Sequence, residues 1–406
     1  MKFTIFSLVF TVVGALFAGA NDIVPAPPQK EPVLLTGGTI HPVSGEPFEG
    51  FLLFEAGKIV KLGKAGEDPA AAEGTRVVDL GGGHVYPGMI GANTVLGLTE
   101  IRAVRATVDM TEPGSINPNA RAEVAVDPDS ELFPVTRSNG VLHALSVPQT
   151  RGLIAGTSAL MALDGRTWEA MTARAPVGMH IRWPRFVDPG RARDSDHKKS
   201  LEESRKGAQR QRRMLEESFA KARAYLAAKK AGEPTQKTDL RWEAMAPVLA
   251  GDIPTFVHAE HLKQIADAVA FASDQGVKMV LVGGGDAWRA APLLKENDIP
   301  VVISGVNELP SRRWEDYDTA MRLPLALHQA GVRFCIAGSG SSMAAAHERN
   351  LPYEAARAAA FGLPPAEALK AVTLYAAQIL GVGERLGSLE VGKDATLMIT
   401  SGDPLE

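Results

Sequence analysis

The sequence predicts an α/β protein whose larger part is a (β/α)8 barrel, on three observations. From residue 84 onward, short apolar runs alternate with Ala-rich stretches of helical length, the texture of parallel strands buried on both faces and covered by helices. Eight such runs can be delimited, at 85–92, 141–147, 153–163, 178–183, 254–258, 278–282, 300–304 and 332–337. Before them, closed off by Gly81-Gly82-Gly83, lies a segment of a different kind, in which short β segments are separated by Gly and Pro. An open doubly wound sheet carries the same alternation and stays as the alternative.

The elements follow in chain order. Met1-Lys2 is a short basic flank, residues 3–17 are almost continuously apolar, and Ala18-Gly19-Ala20 has the small-x-small pattern of a cleavage site, so residues 1–20 read as a signal peptide. An apolar run of about 15 residues is short of the roughly 20 needed to cross a bilayer, and no charged stop-transfer segment follows. An exported protein, periplasmic or extracellular, is expected, with no stable membrane span. Residues 21–32 hold Pro25, Pro27, Pro28 and Pro32 and read as an extended linker. Over 33–83 the segments Val33-Leu34-Leu35, Thr39-Ile40, Phe51-Leu52-Leu53-Phe54, Lys58 to Leu62 and Val77 to Leu80 predict a small antiparallel sheet.

Between the fourth and fifth apolar runs, residues 191–231 are too long and too charged for an ordinary connection. Met214, Phe219 and Tyr225-Leu226 give patchy helical periodicity, which predicts one long, mostly solvated helix. It serves either as a helix packed on the barrel exterior or as a lid or partner surface above the strand ends. The single cysteine, Cys335, cannot make an internal disulfide, so stability rests on core burial. A net charge of −4 offers nucleic acid no electrostatic footing. A small-molecule ligand or substrate is the expected partner, and a homo-oligomer is compatible with the sequence.

The C-terminal region carries a family resemblance. Glu367-Ala368-Leu369-Lys370-Ala371-Val372-Thr373-Leu374-Tyr375-Ala376-Ala377, then Ile379-Leu380-Gly381-Val382, then Leu386-Gly387-Ser388-Leu389-Glu390-Val391-Gly392-Lys393-Asp394-Ala395-Thr396-Leu397, resembles the C-terminal signature of the amidohydrolase superfamily. Leu35-Thr36-Gly37-Gly38-Thr39-Ile40 and the stretch from Gly81 to Tyr86-Pro87-Gly88 are similar to the family's opening strand and its entry into the barrel. The closest resemblance is to the imidazolonepropionase-related group. It implies a composite β-sandwich from residues 33–83 and 385–406 beside a barrel spanning 84–384. It also implies a hydrolase of carbon–nitrogen, non-peptide bonds, with cyclic amides as the expected substrates.

The resemblance further implies one or two metal ions at the C-terminal face of the barrel, held by a His-x-His pair ending the first strand, two later histidines and a final aspartate. Such ligands hold Zn²⁺ with an open position, where bound water falls to a pKa near ~7. Against the family pattern Pro-Gly-x-x-Asp-x-His-x-His this chain reads Pro87-Gly88-Met89-Ile90-Gly91-Ala92-Asn93-Thr94-Val95, so Asn93 and Val95 stand at the histidine positions. The fifth strand keeps His258, followed by Ala259 and Glu260. The sixth runs into Gly283-Gly284-Gly285-Asp286, with Gly284 in place of the ligand, and the eighth strand's aspartate is replaced within Gly338-Ser339-Gly340-Ser341-Ser342 by Ser339. One histidine from a set of about five does not hold a catalytic zinc in the usual way.

No cofactor is therefore expected, and zinc or another divalent metal only if the site has been rebuilt. Candidates for rebuilding are His180, His258, Glu260 and Asp286, with Glu100, Asp109 and Glu112 on the loop after the first strand; of these, His180 and His258 end neighbouring strands. The plainer readings are a hydrogen-bonded remnant for His258 and an N-cap of the helix beginning at Ala287 for Asp286. Polar ligand-binding candidates are Arg137 and Asn139 in the long connection 97–140, and Arg312 and Tyr317 in the tract 309–318. Two function classes remain: a hydrolase with a rebuilt site around His258, and a catalytically inactive exported barrel that binds a ligand or partner at the former active-site cleft.

Overall fold

The computed structural model describes residues 25–185, 195–233 and 237–406. The expected signal peptide and the first residues of the charged insertion, 191–194, lie outside the described residues. Among those described, no helix is long and apolar enough to cross a membrane. The fold is mixed α/β.

The N-terminal segment forms β1 (Val33–Ile40), β2 (Phe48–Glu55), β3 (Lys58–Lys64), β4 (Arg76–Asp79) and β5 (His84–Pro87). These join β16 (Leu397–Thr400) in one six-stranded sheet of order β16-β5-β1-β2-β3, with β4 beside the first half of β1. Strand β16 from the C-terminal segment thus pairs antiparallel with β5 in the same sheet as the N-terminal strands. Alternation along the strands puts Leu35, Leu52, Ile59 and Val85 in one apolar cluster and Leu34, Phe51 and Leu53 in another. The described part of the Pro-rich linker is docked onto this sheet. Gln29 donates to the Phe54 carbonyl at 3.1 Å and accepts from the Gly57 amide at 2.8 Å.

Residues 85–92, expected as one strand, form two. The chain passes from β5 through Gly88 into β6 (Met89–Thr94), which belongs to a different sheet. Gly88 is the pivot because a Cβ there would lie 2.6 Å from Leu142 Cδ1. Then come β7 (Val141–Ser146), β8 (Ile154–Thr157), β9 (Ala159–Ala162) and β10 (Thr172–Arg174). The run 153–163 also splits: β8 pairs antiparallel with β11 (Met179–Arg182), and β9 pairs antiparallel with β7. The expectation of eight parallel strands is corrected here, since burial on both faces makes a run apolar without setting its direction. The remaining strands, β12 (Thr255–Ala259), β13 (Met279–Gly283), β14 (Val301–Ser304) and β15 (Phe334–Ala337), continue from β11 in one parallel array.

Side chains of these strands alternate between two cores. Phe256, Val280, Val282, Val302 and Cys335 share one with Ile90 and Leu145, while Val257, Leu281, Val301 and Ile336 pack into the layer shared with the helices. This arrangement is consistent with a TIM-like barrel. Among the described residues no ladder joins β6 to β15, but Asn93 Nδ2 reaches the Gly338 carbonyl at 3.2 Å and Ser304 Oγ at 3.3 Å across that seam.

The charged insertion is helix α1 (Ser195–Ala231), and it packs against α2 (Leu262–Gln275). Leu215, Phe219, Ala222 and Tyr225, spaced three or four apart, are buried, and the Phe219 ring meets Phe271 edge-on at 5.2 Å. The packed-helix reading describes this segment better than a lid. The connection 97–140 runs alongside β7 and β8, bridging Gln149, Ile154 and Thr157.

Candidate functional site

A cavity of about 610 Å³ opens where the strands β11 to β14 end, at their C-terminal edge. At its floor His180 Nδ1 and His258 Nε2 are hydrogen-bonded to each other at 2.9 Å. They meet because β11 and β12 are parallel and adjacent, and both side chains point to the inner core side, where His180 stacks on Phe256 with centroids 4.9 Å apart. His180 is 1 % exposed and its other nitrogen, Nε2, has no hydrogen-bond partner among the described residues. Burial pulls the His258 pKa down to about 4, helped by the charge of Arg182, and burial together with the charge of His258 holds His180 well below its ordinary range. The pair is neutral near pH 7, with one N–H shared between facing nitrogens.

Glu260, directly after β12, faces the cavity and accepts from the Gly285 amide at 3.0 Å. Its carboxyl sits over the glycine turn: Gly283 has φ +94, and a Cβ there would fall 2.1 Å from Glu260 Oε1. Enclosure by the cavity walls raises its pKa, opposed by the Gly285 amide and by Arg185. Asp286, 3 % exposed, forms a fork with Arg312 at 2.8 and 2.6 Å and accepts from the Leu262 amide at 2.8 Å. Arg312 also reaches Glu315 at 2.5 Å and His261 at 3.1 Å.

One further acid stands behind the seam. Glu348, on the turn Ala345–Asn350, is 3 % exposed, and neither carboxyl oxygen has a well-formed hydrogen bond among the described residues. Its oxygens lie where Gly91 and Gly338 leave room, at 2.3 and 2.8 Å from the positions their Cβ atoms would take. Burial pushes its pKa up to about 8, with Glu354 adding to the rise and the Thr94 hydroxyl opposing it.

The model of the amidohydrolase family matches residues 168–406, more than half of the chain. The chain belongs to the amidohydrolase family. Its kinship is with hydrolases. The amidohydrolase tasK of Hapsidospora irregularis is 22% identical over 388 residues, which cover 88% of this chain and 38% of tasK. The chain thus spans well under half the length of that curated relative. The crystal structure of an amidohydrolase from Thermotoga maritima MSB8 superposes with a TM-score of 0.78 at 25% identity, covering 92% of this chain and 95% of that one. A prolidase complexed with N-methylphosphonate-L-proline shares the fold, with a TM-score of 0.51, 15% identity and coverage of 92% and 93%.

The structure brings some of the sequence-derived candidates together and separates others. His180, His258, Glu260, Asp286, Asn93 and Ser339 all line the cavity. Val95 does not: it is fully buried in the layer shared with the helices. Gly284 lies in the glycine turn behind the wall, donating to the Ala259 carbonyl at 2.9 Å. Asp286 does not cap its own helix, α3 (Ala287–Glu296), with its side chain; it satisfies the first amide of α2 instead.

Arg137 and Asn139 precede β7 and so stand at the opposite end of the strands. Arg137 pairs with Asp164 at 2.7 Å, and Asn139 donates to the Arg349 carbonyl at 2.6 Å. Arg312 is committed to Asp286 and Glu315, and Tyr317 is 72% exposed outside the lining. None of these four side chains is in the lining of the cavity. Arg182, Arg185, Ser304 and Glu308 line the cavity and were not singled out in the sequence. Arg182 is the last residue of β11, inside the fourth run, and Arg185 follows that run, so reading the polar residues around each strand end would have found them; Glu348 has no comparable signal.

Proposed function

We propose that this chain is a ligand-binding member of the amidohydrolase family, whose cleft at the strand ends holds a small polar molecule without metal-assisted hydrolysis. The carrying observation is the 2.9 Å hydrogen bond between His180 and His258, in which each histidine spends a nitrogen on the other. Around them Asn93, Gly283, Ser304 and Ser339 contribute neutral groups. A catalytic zinc takes three or more imidazole, carboxylate or thiolate ligands converging on one point. This donor set does not fit it, because Glu260 is turned onto the Gly285 amide and Asp286 is spent on Arg312.

The motifs at both chain ends support the imidazolonepropionase-related group as the nearest kin, and the N-terminal apolar run supports export. A second reading is favoured by Glu260, whose raised pKa and open face to the cavity suit a general acid acting on a carbon–nitrogen bond without a metal. Both are tested by incubating the protein with hydantoin, dihydrouracil and simple lactams, with and without added zinc, while ligand-observed NMR follows binding and ultraviolet absorbance follows ring opening. Saturable binding without turnover is expected. Turnover lost in Glu260→Gln but indifferent to zinc would establish the second reading, and zinc-stimulated turnover lost in His258→Ala would overturn the first.

A further inference from the structure

The tract 309–318, which follows β14, has its polarity inverted. Four of its polar side chains are spent on the protein: Ser311 donates to Glu315 at 3.2 Å, Arg312 holds Asp286 and Glu315, and Asp318 pairs with Arg322 at 2.7 Å. Its large apolar side chains face water instead, with Leu309 87% exposed, Trp314 62% and Tyr317 72%. Trp314 is also fixed in place. Arg312 stacks on its ring at 5.3 Å and Arg289 at 5.7 Å, and Arg289 lies 6.0 Å from the ring of Trp288, the second residue of α3. A loop whose polar groups hold it rigid while its apolar groups stand in water is preorganised to meet a surface.

This surface is the rim of the cavity, since Leu309, Ser311 and Glu315 line it. The loops after the neighbouring strands β13 and β15 add Trp288, two residues on from the lining residue Asp286, and the exposed Met343, two on from Ser341. These five side chains expose on the order of 700 Å² between them, near the ~800 Å² that each partner contributes to a standard interface. One strand along, beside β12, stands α1. Phe219 packs on Phe271 and Arg223 donates to the Gln275 carbonyl, so α1 and α2 run in the same direction with a constant offset. Leu262, which opens α2 at the strand end, is therefore level with about residue 210, and the part of α1 before that extends about 20 Å beyond the strand ends as an arm. From Glu202 to Met214 no residue is buried.

The arm is basic. α1 carries eleven Lys and Arg against five Asp and Glu, a net +6 in a chain of −4, which leaves −10 to the rest. Lys206, Arg210 and Arg213, four and three apart, form one exposed stripe on the side away from Leu215 and Phe219. Lys206 is paired with Glu202 at 2.8 Å, while Arg210 and Arg213 have no acid partner among the described residues. A flat bilayer would meet the arm before it met the rim, whereas a second copy of this chain supplies both an apolar rim and exposed acids. We propose that two copies pair face to face across their cavity mouths, rim on rim, with the arm of each lying along the other so that Arg210 and Arg213 meet the exposed Glu308 and Asp316 of that copy's rim. About a two-fold axis the apolar rims are self-complementary, and the basic arms, which repel each other, each reach acids. The pairing does not depend on what the cleft binds.

The test is sedimentation velocity of the protein from about 1 to 100 µM. A dimer that forms with rising concentration is expected. Trp314→Ser and Tyr317→Ser should each weaken it about tenfold or more, and added salt should weaken it as well. Arg210→Glu with Arg213→Glu, and separately Glu308→Lys with Asp316→Lys, should each lower dimerisation about tenfold or more. An equimolar mixture of these two reversed proteins should pair again, because each arm then meets the opposite charge. All six positions are exposed, and circular dichroism and melting of each variant separate loss of pairing from loss of fold. A monomer throughout the range would overturn the proposal, as would a dimer that neither the rim nor the arm changes move, since it would lie on another surface. A monomer that cosediments with vesicles of phosphatidylcholine and phosphatidylglycerol, and loses them in Trp314→Ser, would assign the rim to a bilayer and overturn the pairing equally.

Discussion

Replacing Glu348 by Gln should stabilise the protein in mild alkali and leave it unchanged in mild acid. The carboxyl is shut between β6 and the end of β15, its ordinary value of 4.5 raised to about 8 by burial. A folded chain that keeps this proton while the unfolded chain releases it is fully stabilised below about pH 4.5. It loses that contribution as pH rises towards 8, because the unfolded state then binds fewer protons than the native one. From 4.5 to about 8, at about 1.4 kcal/mol per pH unit, the loss approaches 5 kcal/mol, a large part of a typical domain's stability. Glutamine has the same shape and no proton to lose, so this slope should vanish. The assay is urea unfolding of both proteins at pH 5, 6.5 and 8, read as midpoints at constant m-value. Equal midpoints at pH 5 and a gap of several kcal/mol in favour of the glutamine variant at pH 8 are expected. Parallel profiles would refute the reasoning, as would a glutamine variant that is weaker at pH 8.

Three further outcomes follow from the same contacts. Arg312→Met leaves the buried Asp286 carboxylate with only the longer Arg289 contact at 3.7 Å and the Leu262 amide, and should cost about 3 kcal/mol, with Asp286→Asn recovering much of the loss; a melt within about 1 kcal/mol of the parent would contradict this. Gly283→Ala places a methyl group 2.1 Å from Glu260 Oε1 at a φ of +94, so a loss of about 1–3 kcal/mol in chemical denaturation is expected, and an unchanged midpoint would mean that the turn is looser than described. His258 should titrate near pH 4 by imidazole NMR; since its folded value lies below the unfolded 6.5, its contribution is complete above pH 6.5 and is lost as pH falls towards 4. A midpoint near 6.5 would show that the histidine pair is open to water.

How much of this was legible in the sequence differs from element to element. The strands from β11 to β15 were, because each is an apolar run bounded by polar or glycine residues and the observed bounds differ by one or two positions. The splits at Gly88 and Ser158 were not, because a continuous apolar run carries no mark of a change of partner; the contact of Gly88 with Leu142 exists only in three dimensions. In the site, His180 and His258 could be paired from their places at the ends of neighbouring strands. Arg137 and Asn139 could have been set aside by chain direction alone, since residues that precede a strand stand at its N-terminal end. The ion pairs that occupy Arg312, and the two glycines that seat Glu348, join residues far apart in sequence with no local pattern, so no reading of spacing reaches them.

The most direct test of the ligand-binding account is elemental analysis of the protein purified without chelator or metal-binding tag, repeated after zinc addition and desalting, alongside His258→Ala. The account predicts metal well below one per chain in every sample. About one tightly held ion per chain that disappears in His258→Ala would contradict it, and would mean that His180 and His258 turn their nitrogens to a cation rather than to each other.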